Sequence, residues 1–164
     1  MKNIWIKVGC AALALVAVGL ILIANSLTFT LLGAGLDTKE PILVYADSDD
    51  GIRIYCTKTN NGEPALLRVR KGFLGCWVQD DKDAARDREY AFVAYIESDG
   101  PPVGGQVFHM FYSGKALKTD PDQLSLPEGI TWKVTKGDGF VCLALSGKAD
   151  ADWNTIVPGE LFAE

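Results

Sequence analysis

Seventeen consecutive residues near the N-terminus, 8–24 (VGCAALALVAVGLILIA), carry no charge and no strongly hydrogen-bonding side chain, and they constrain this chain more than any other feature. A helix rises about 1.5 Å per residue, so roughly 20 residues cross a bilayer core about 30 Å thick. The apolar character continues to Leu36, diluted by Asn25, Ser26, Thr28 and Thr30. Residues 8–28 are therefore long enough for one transmembrane helix, with membrane contact expected over residues 4–30. Lys2 and Lys7 precede the run, whereas Asp37 and Glu40 follow it. The positive-inside bias then keeps the N-terminus cytoplasmic and places the rest of the chain outside. Trp5 suits the headgroup interface, where an amphipathic indole is favoured.

A cleaved secretory signal peptide is the competing reading, because a short basic start and an apolar core are both present. Ala24 and Ser26 are small enough for cleavage after Ser26, which would release a secreted product; Gly33 and Gly35 are a poorer second choice. The apolar run is long for a signal core and does not end sharply, which favours a retained anchor. Cys10 is not a lipidation site. Lys7 stands where a lipobox needs Leu or Val, and the apolar core follows the cysteine instead of preceding it.

Residues 1–36 thus form an anchor or signal, 37–41 (DTKEP) a linker, and 42–164 one extracytoplasmic domain of ordinary size. From residue 37 onward, 14 basic side chains face 21 acidic ones, a net charge of −7. Such a domain repels phosphate backbones, so no nucleic-acid partner is expected. The same charge favours cationic partners.

The domain reads as a series of short apolar or alternating runs: 42–47, 51–58, 65–71, 73–79, 90–97, 106–113, 130–136 and 140–146. They are rich in Val, Ile, Phe, Tyr and Trp, which suit a pleated surface. Turn residues separate them, including Asp-Asp-Gly at 49–51, Asn-Asn-Gly at 60–62 and Gly-Asp-Gly at 137–139. The expected fold is all-β, a compact antiparallel sandwich or barrel-like meander of about seven or eight strands after the N-terminal helix. Alternation puts Ile52, Ile54 and Cys56 on one face and Arg53, Tyr55 and Thr57 on the other. Leu67 and Val69 likewise oppose Arg68 and Arg70, implying sheets with one buried and one wet face. The runs at 90–97 and 106–113 are apolar on both faces and are expected at the centre of a sheet. Residues 80–89 and 114–129 read as irregular, with a short helix capped by Asp80 or Asp81 conceivable in the first. A helical turn before Pro158 would let Trp153 and Phe162 pack back.

The chemistry-bearing residues are few. Cys56 and Cys76 fall on inward-looking faces and are the preferred disulfide pair in an oxidising exterior, while Cys142 is assigned to another face. The alternative is that all three are buried free thiols. His109, the only histidine, lies inside a strand, as do the cysteines. A thiolate–imidazole nucleophile is therefore not expected. Zinc spacing is absent, and Asp47-Ser48-Asp49-Asp50-Gly51 only partly resembles a calcium loop, since its glycine falls one place early. Gly-Pro-Pro-Val-Gly-Gly at 100–105 is a rigid turn and not a phosphate cradle. No catalytic residue, metal or cofactor is assigned. Tyr55, Trp77, Tyr95 and Tyr112 are candidate binding aromatics for a protein or glycan partner, or else half-buried cross-strand pairs.

An anchor followed by a compact β domain resembles the general plan of small bacterial envelope proteins. The leading expectation is a non-catalytic, membrane-tethered binding or accessory domain. An inhibitor or immunity-type protein capturing a cationic partner is the second. An envelope enzyme using a carboxylate pair is the third, and it requires a cleft with two facing carboxyl groups.

Overall fold

The structure is a computed structural model that describes residues 2–24, 26–72, 76–97, 106–119, 123 and 126–163; within the first helix, the side chains described are those of residues 8–21. The expected turn at 100–105 lies outside the described residues.

Helix α1 (Lys2–Ala24) follows from a run of good helix formers, chiefly Ala and Leu, with no acidic residue in its first turn. Among the described residues, no helix is long and apolar enough to cross a membrane. The span expected at 8–28 includes residues 22–25, whose side chains are outside the described set. Helix α2 (Leu27–Gly33) starts at Ser26, whose hydroxyl accepts the Phe29 N–H at 3.4 Å. It ends in a Schellman motif. The Leu36 N–H reaches the Leu31 carbonyl, the Gly35 N–H reaches that of Leu32, and Gly35 takes a φ of 70° that an L side chain rarely adopts. Lys82 donates to the Ala34 carbonyl at 2.7 Å, adding a cation at the negative end of the helix.

Eight strands follow, all paired antiparallel. β1 (Ile42–Asp47), β2 (Ile52–Lys58), β3 (Pro64–Lys71) and β4 (Trp77–Ala84) form one sheet in sequence order. β5 (Tyr90–Ile96), β6 (Val107–Gly114), β7 (Ile130–Gly137) and β8 (Phe140–Lys148) form the second in the order β5-β6-β8-β7. The domain is therefore an antiparallel sandwich. The first sheet is a meander, whereas in the second β8 returns between β6 and β7.

Two corrections to the sequence expectations concern the strands. Residues 80–84 continue β4 instead of starting a loop or helix, because their charged side chains find partners: Asp80 takes Arg68 of the same sheet, Lys82 the Ala34 carbonyl and Asp83 the Phe92 N–H of the other sheet. β5 is an edge strand, not a central one. Its two apolar faces are explained by layers on both sides of the second sheet.

Those layers are the main departure from the expected one-wet-face sheets. Between the sheets lie Ile54, Cys56, Leu66, Val93, Phe111 and Cys142, all essentially inaccessible. On the outer face of the first sheet, Leu27, Leu31 and Ala34 of α2 cover Tyr55, Leu67 and Val69. Their i, i+4, i+7 spacing makes one helical stripe. Residues 34–37, expected to end the anchor and open the linker, are tied to β2: Leu36 bridges Thr59, and the Asp37 N–H reaches the Lys58 carbonyl at 2.7 Å. On the outer face of the second sheet, the C-terminal segment supplies Trp153, a 3-10 turn at Trp153–Thr155, helix α3 (Pro158–Leu161) and the fully buried Phe162. Trp153 and Phe162 pack back as expected, over Phe108 in one case and Tyr90 in the other.

Candidate functional site

A hydrogen-bonded set of titratable side chains gathers at one end of the sandwich, where β1, β5 and β8 finish and β6 begins. A bulge in β1 creates it. The register passes from Leu43 opposite Tyr55 to Tyr45 opposite Ile54, leaving Val44 as the extra residue. That shift turns Tyr45 and Asp47 toward the inter-sheet space, where simple alternation from Ile42 would have pointed them away. Tyr45 then packs against His109, Phe111 and Tyr95, with ring centroids 4.6, 5.6 and 5.7 Å away.

Two hydrogen-bonded arms extend from these rings. In the first, the Tyr45 hydroxyl donates to Glu97 Oε1 at 2.7 Å, and His109 Nε2 lies 3.0 Å from the same oxygen. His109 Nδ1 is 2.7 Å from Ser146 Oγ, its direct cross-strand neighbour on β8. The pattern is satisfied when Nε2–H donates to Glu97 and Nδ1 accepts the serine proton. In the second arm, the Tyr95 hydroxyl donates to Asp47 Oδ2 at 2.7 Å and also reaches Asp50. The other Asp47 oxygen accepts the Asp49 and Asp50 N–H groups, closing the β1–β2 turn at Gly51, which has a φ of 62°.

The electrostatics follow from this placement. Burial pushes the Tyr45 hydroxyl well above its ordinary value, and the Glu97 carboxylate beside it adds to the rise. Burial does the same to Tyr95, helped by the hydrogen bonds to Asp50 and Asp47. Asp47 moves the other way, since the phenol donated by Tyr95 holds its carboxyl below the usual range. A general acid built from a carboxylate pair needs a raised carboxyl, the opposite of what Asp47 shows.

The order Ser146–His109–Glu97 is that of a hydroxyl activated through imidazole by a carboxylate. Its surroundings differ from those of a hydrolase, because the hydroxyl sits in a cross-strand pair facing the opposite sheet. Two grooves of about 500 Å³ each lie elsewhere. One is bordered by Arg86, Asp87, Arg88 and Glu89 beside Lys115, the other by the end of α2 and Asn60–Asn61. Among the described residues, no buried side-chain nitrogen or oxygen lacks a hydrogen-bond partner. A satisfied network of this kind rigidifies its neighbourhood, and here it pins the β1–β2 turn of one sheet onto β5 and β6 of the other.

The candidate aromatics do not share a surface. Tyr95 belongs to the cluster just described. Tyr55 is buried under α2, and Trp77 is half-buried in the same layer beneath the Arg53 guanidinium, 4.3 Å from its ring. Tyr112 is buried beneath the C-terminal segment, its hydroxyl 3.1 Å from Met110 Sδ, and burial raises it to about 12. Sequence reasoning missed Tyr45, Glu97 and Ser146. The available signal was faint: Tyr95, His109 and Ser146 are polar residues at core-facing positions near strand ends.

Cys56 and Cys76 are both free and far apart. Cys56 stands opposite Leu66 on β3, while Cys76 meets Gly72 beyond the other end of that strand, its carbonyl accepting the Gly72 N–H at 2.7 Å. Six residues of extended chain cover roughly 20 Å, against a disulfide limit of about 7 Å between Cα atoms. The fold does not bring the two together. Cys142, assigned to another face, instead shares the inter-sheet core with Cys56.

The Asp47–Gly51 turn uses its aspartates on its own backbone and on Tyr95, and among the described residues no group of three or more His, Cys, Asp or Glu is placed to hold a metal. Comparison of the chain with protein-family models, curated proteins and solved structures returned no match.

Proposed function

We propose that the protein is a membrane-tethered binding or accessory module, with α1 inserted in the bilayer and the sandwich held outside the cytoplasm. The observation that carries this reading is the exposure of α1. Val8, Leu13, Leu15, Val16, Val18 and Leu20 are 53 to 74% exposed, so this part of the apolar helix is not covered by its own domain. A helix apolar on all sides is at home in a bilayer or a large protein core, and it is poorly solvated by water. The described side chains, residues 8–21, rise only about 21 Å. The sequence continues apolar through Leu22, Ile23 and Ala24, which brings the segment near the length of a bilayer core. Lys2 and Lys7 at its start support the orientation.

The proposal is tested on the full-length chain by flotation with phosphatidylcholine vesicles, followed by carbonate extraction and protease protection. Retention in the membrane with the β domain protected in inside-out vesicles supports it. Release by carbonate overturns the anchor, and an N-terminus beginning at Leu27 identifies the cleaved form instead.

The net charge of −7 after residue 36 favours one second reading, the capture of a cationic protein partner. Its affinity for such a partner should fall steeply with salt, and salt-independent binding would discard it.

A further inference from the structure

We infer that Cys56 and Cys142 are a disulfide-forming pair, oxidised through exchange with a small disulfide of the glutathione class, that joins the two sheets through the middle of their core. Both thiols are buried on the inter-sheet faces, one on β2 and the other on β8. Ser113 links them geometrically. Its hydroxyl lies 3.0 Å from Cys56 Sγ, and it stands directly opposite Cys142 in the β6–β8 ladder.

The backbone is prepared for the bond. Across the second sheet, Ala91, Ser113 and Cys142 form one row of small side chains facing Cys56. Packed sheets normally stand about 10 Å apart. Here β2 and β8 come within 8 Å between Cα atoms. A disulfide needs about 4.4–6.8 Å between its Cα atoms, a separation that these two strands approach and an ordinary sandwich does not. No bulky residue of that row stands in the way.

Hydrogen bonding to Cys56, and then burial, hold the Cys142 thiol well above its ordinary value, so the closed core disfavours the thiolate that exchange requires. Oxidation therefore belongs to folding or to opening of the sandwich. One cysteine thiolate attacks glutathione disulfide and expels one glutathione thiolate, leaving a mixed disulfide. The second cysteine, losing its proton to solvent, attacks the protein sulfur of that mixed disulfide and expels the other glutathione. Two electrons pass from the cysteine pair to one glutathione disulfide, giving two glutathione thiols.

The test uses the full chain in detergent, reduced, unfolded and refolded in a mixture of reduced and oxidised glutathione, then alkylated and mapped by mass spectrometry. The expected product links the peptide containing Cys56 to that containing Cys142, two hydrogens lighter than the dithiol. It should form many times faster during refolding than when glutathione disulfide is added to the folded protein. A Cys76→Ser variant should give the same link, and the oxidised protein should melt higher than the reduced one. Recovery of both cysteines alkylated, or of Cys76 joined to either, overturns the pairing. So does an oxidised-minus-reduced difference in Tm that survives in a Cys56→Ala/Cys142→Ala variant. Because the measurement is made on purified chain, its outcome is independent of where the protein resides.

Discussion

Asp83 of one sheet accepts the backbone N–H of Phe92 on the edge of the other, at 2.8 Å. Two positions further along, Arg68 of β3 donates to the Ala94 carbonyl while its Nε holds Asp80 at 2.7 Å. β5 is an edge strand, and an edge presents unpaired donors and acceptors that template aggregation. Charged side chains from the facing sheet occupy two of them. Asp83→Ala should therefore destabilise the domain by about 1.5–3 kcal/mol, the range for hydrogen bonds to charged groups. Asp83→Asn, which keeps an acceptor, should recover most of it. Urea midpoints of the two variants check this; equal losses would assign the effect to the Arg88 ion pair that Asp83 also makes.

The C-terminal segment is expected to be part of the folded unit, not a tail. Phe162 is fully buried, stacks on Tyr90 and occupies the space over Gly114, where a Cβ would strike its ring and come within 2.9 Å of the Glu89 carbonyl. Phe162→Ala should cost about 3–5 kcal/mol. Gly114→Ala should also destabilise, and by less when combined with Phe162→Ala, because the clash is then relieved. Thermal melts of the four proteins give that coupling directly.

Alkaline stability depends on the buried phenols. Tyr45, Tyr95 and Tyr112 are all raised in the folded state. A raised group contributes stability that is present below its unfolded value, about 10 for tyrosine, and that is lost as pH climbs toward the folded value. The domain should therefore weaken above about pH 10, and these three tyrosines should ionise together with unfolding. Phenolate absorbance recorded alongside circular dichroism tests this. Three phenols that titrate normally in a folded chain would contradict it.

Acid acts through the opposite sign at Asp47. Its folded carboxyl lies below the unfolded value of about 3.9, so its contribution is present above that pH and is lost as pH falls through the folded value. Asp47→Asn should flatten the acid limb of the stability profile and loosen the β1–β2 turn. Faster amide exchange at Asp49 and Asp50 is the local readout.

Removing the α2 contact should loosen one layer without disturbing the inter-sheet core. Leu31 is buried between Tyr55, Leu67 and Val69. Leu31→Ala is expected to cost about 2–5 kcal/mol and to raise Trp77 fluorescence quenching, since Thr30 reaches the Trp77 carbonyl at 3.0 Å.

Much of this architecture was legible in the residues. Seven of the eight strands coincide closely with their alternating or apolar runs, because hairpin turns with Gly, Asn and Asp delimit them. β4 was hidden because WVQDDKDA has poor strand propensity, and its stability comes from Arg68, the Ala34 carbonyl and the Phe92 N–H, all distant in sequence. The two outer layers were hidden for a related reason. An apolar residue on the second face of a strand does not say what covers it, and α2 reads as the tail of a hydrophobic segment. Of the site, His109 and Tyr95 were visible, but the bulge at Val44 that delivers Tyr45 leaves no mark in composition.

Ser26 has a consequence where the chain enters the sandwich. It caps α2 with its hydroxyl, and its carbonyl accepts the Thr30 N–H at 3.1 Å. α2 itself begins at Leu27, three residues after α1 ends. α2 is thus a short bracket bolted to the first sheet, so from Leu27 onward the chain entering the sandwich is held against it. A cut after Ser26 would take away the cap yet leave every α2 residue that packs on the sheet, so the sandwich would keep its outer layer.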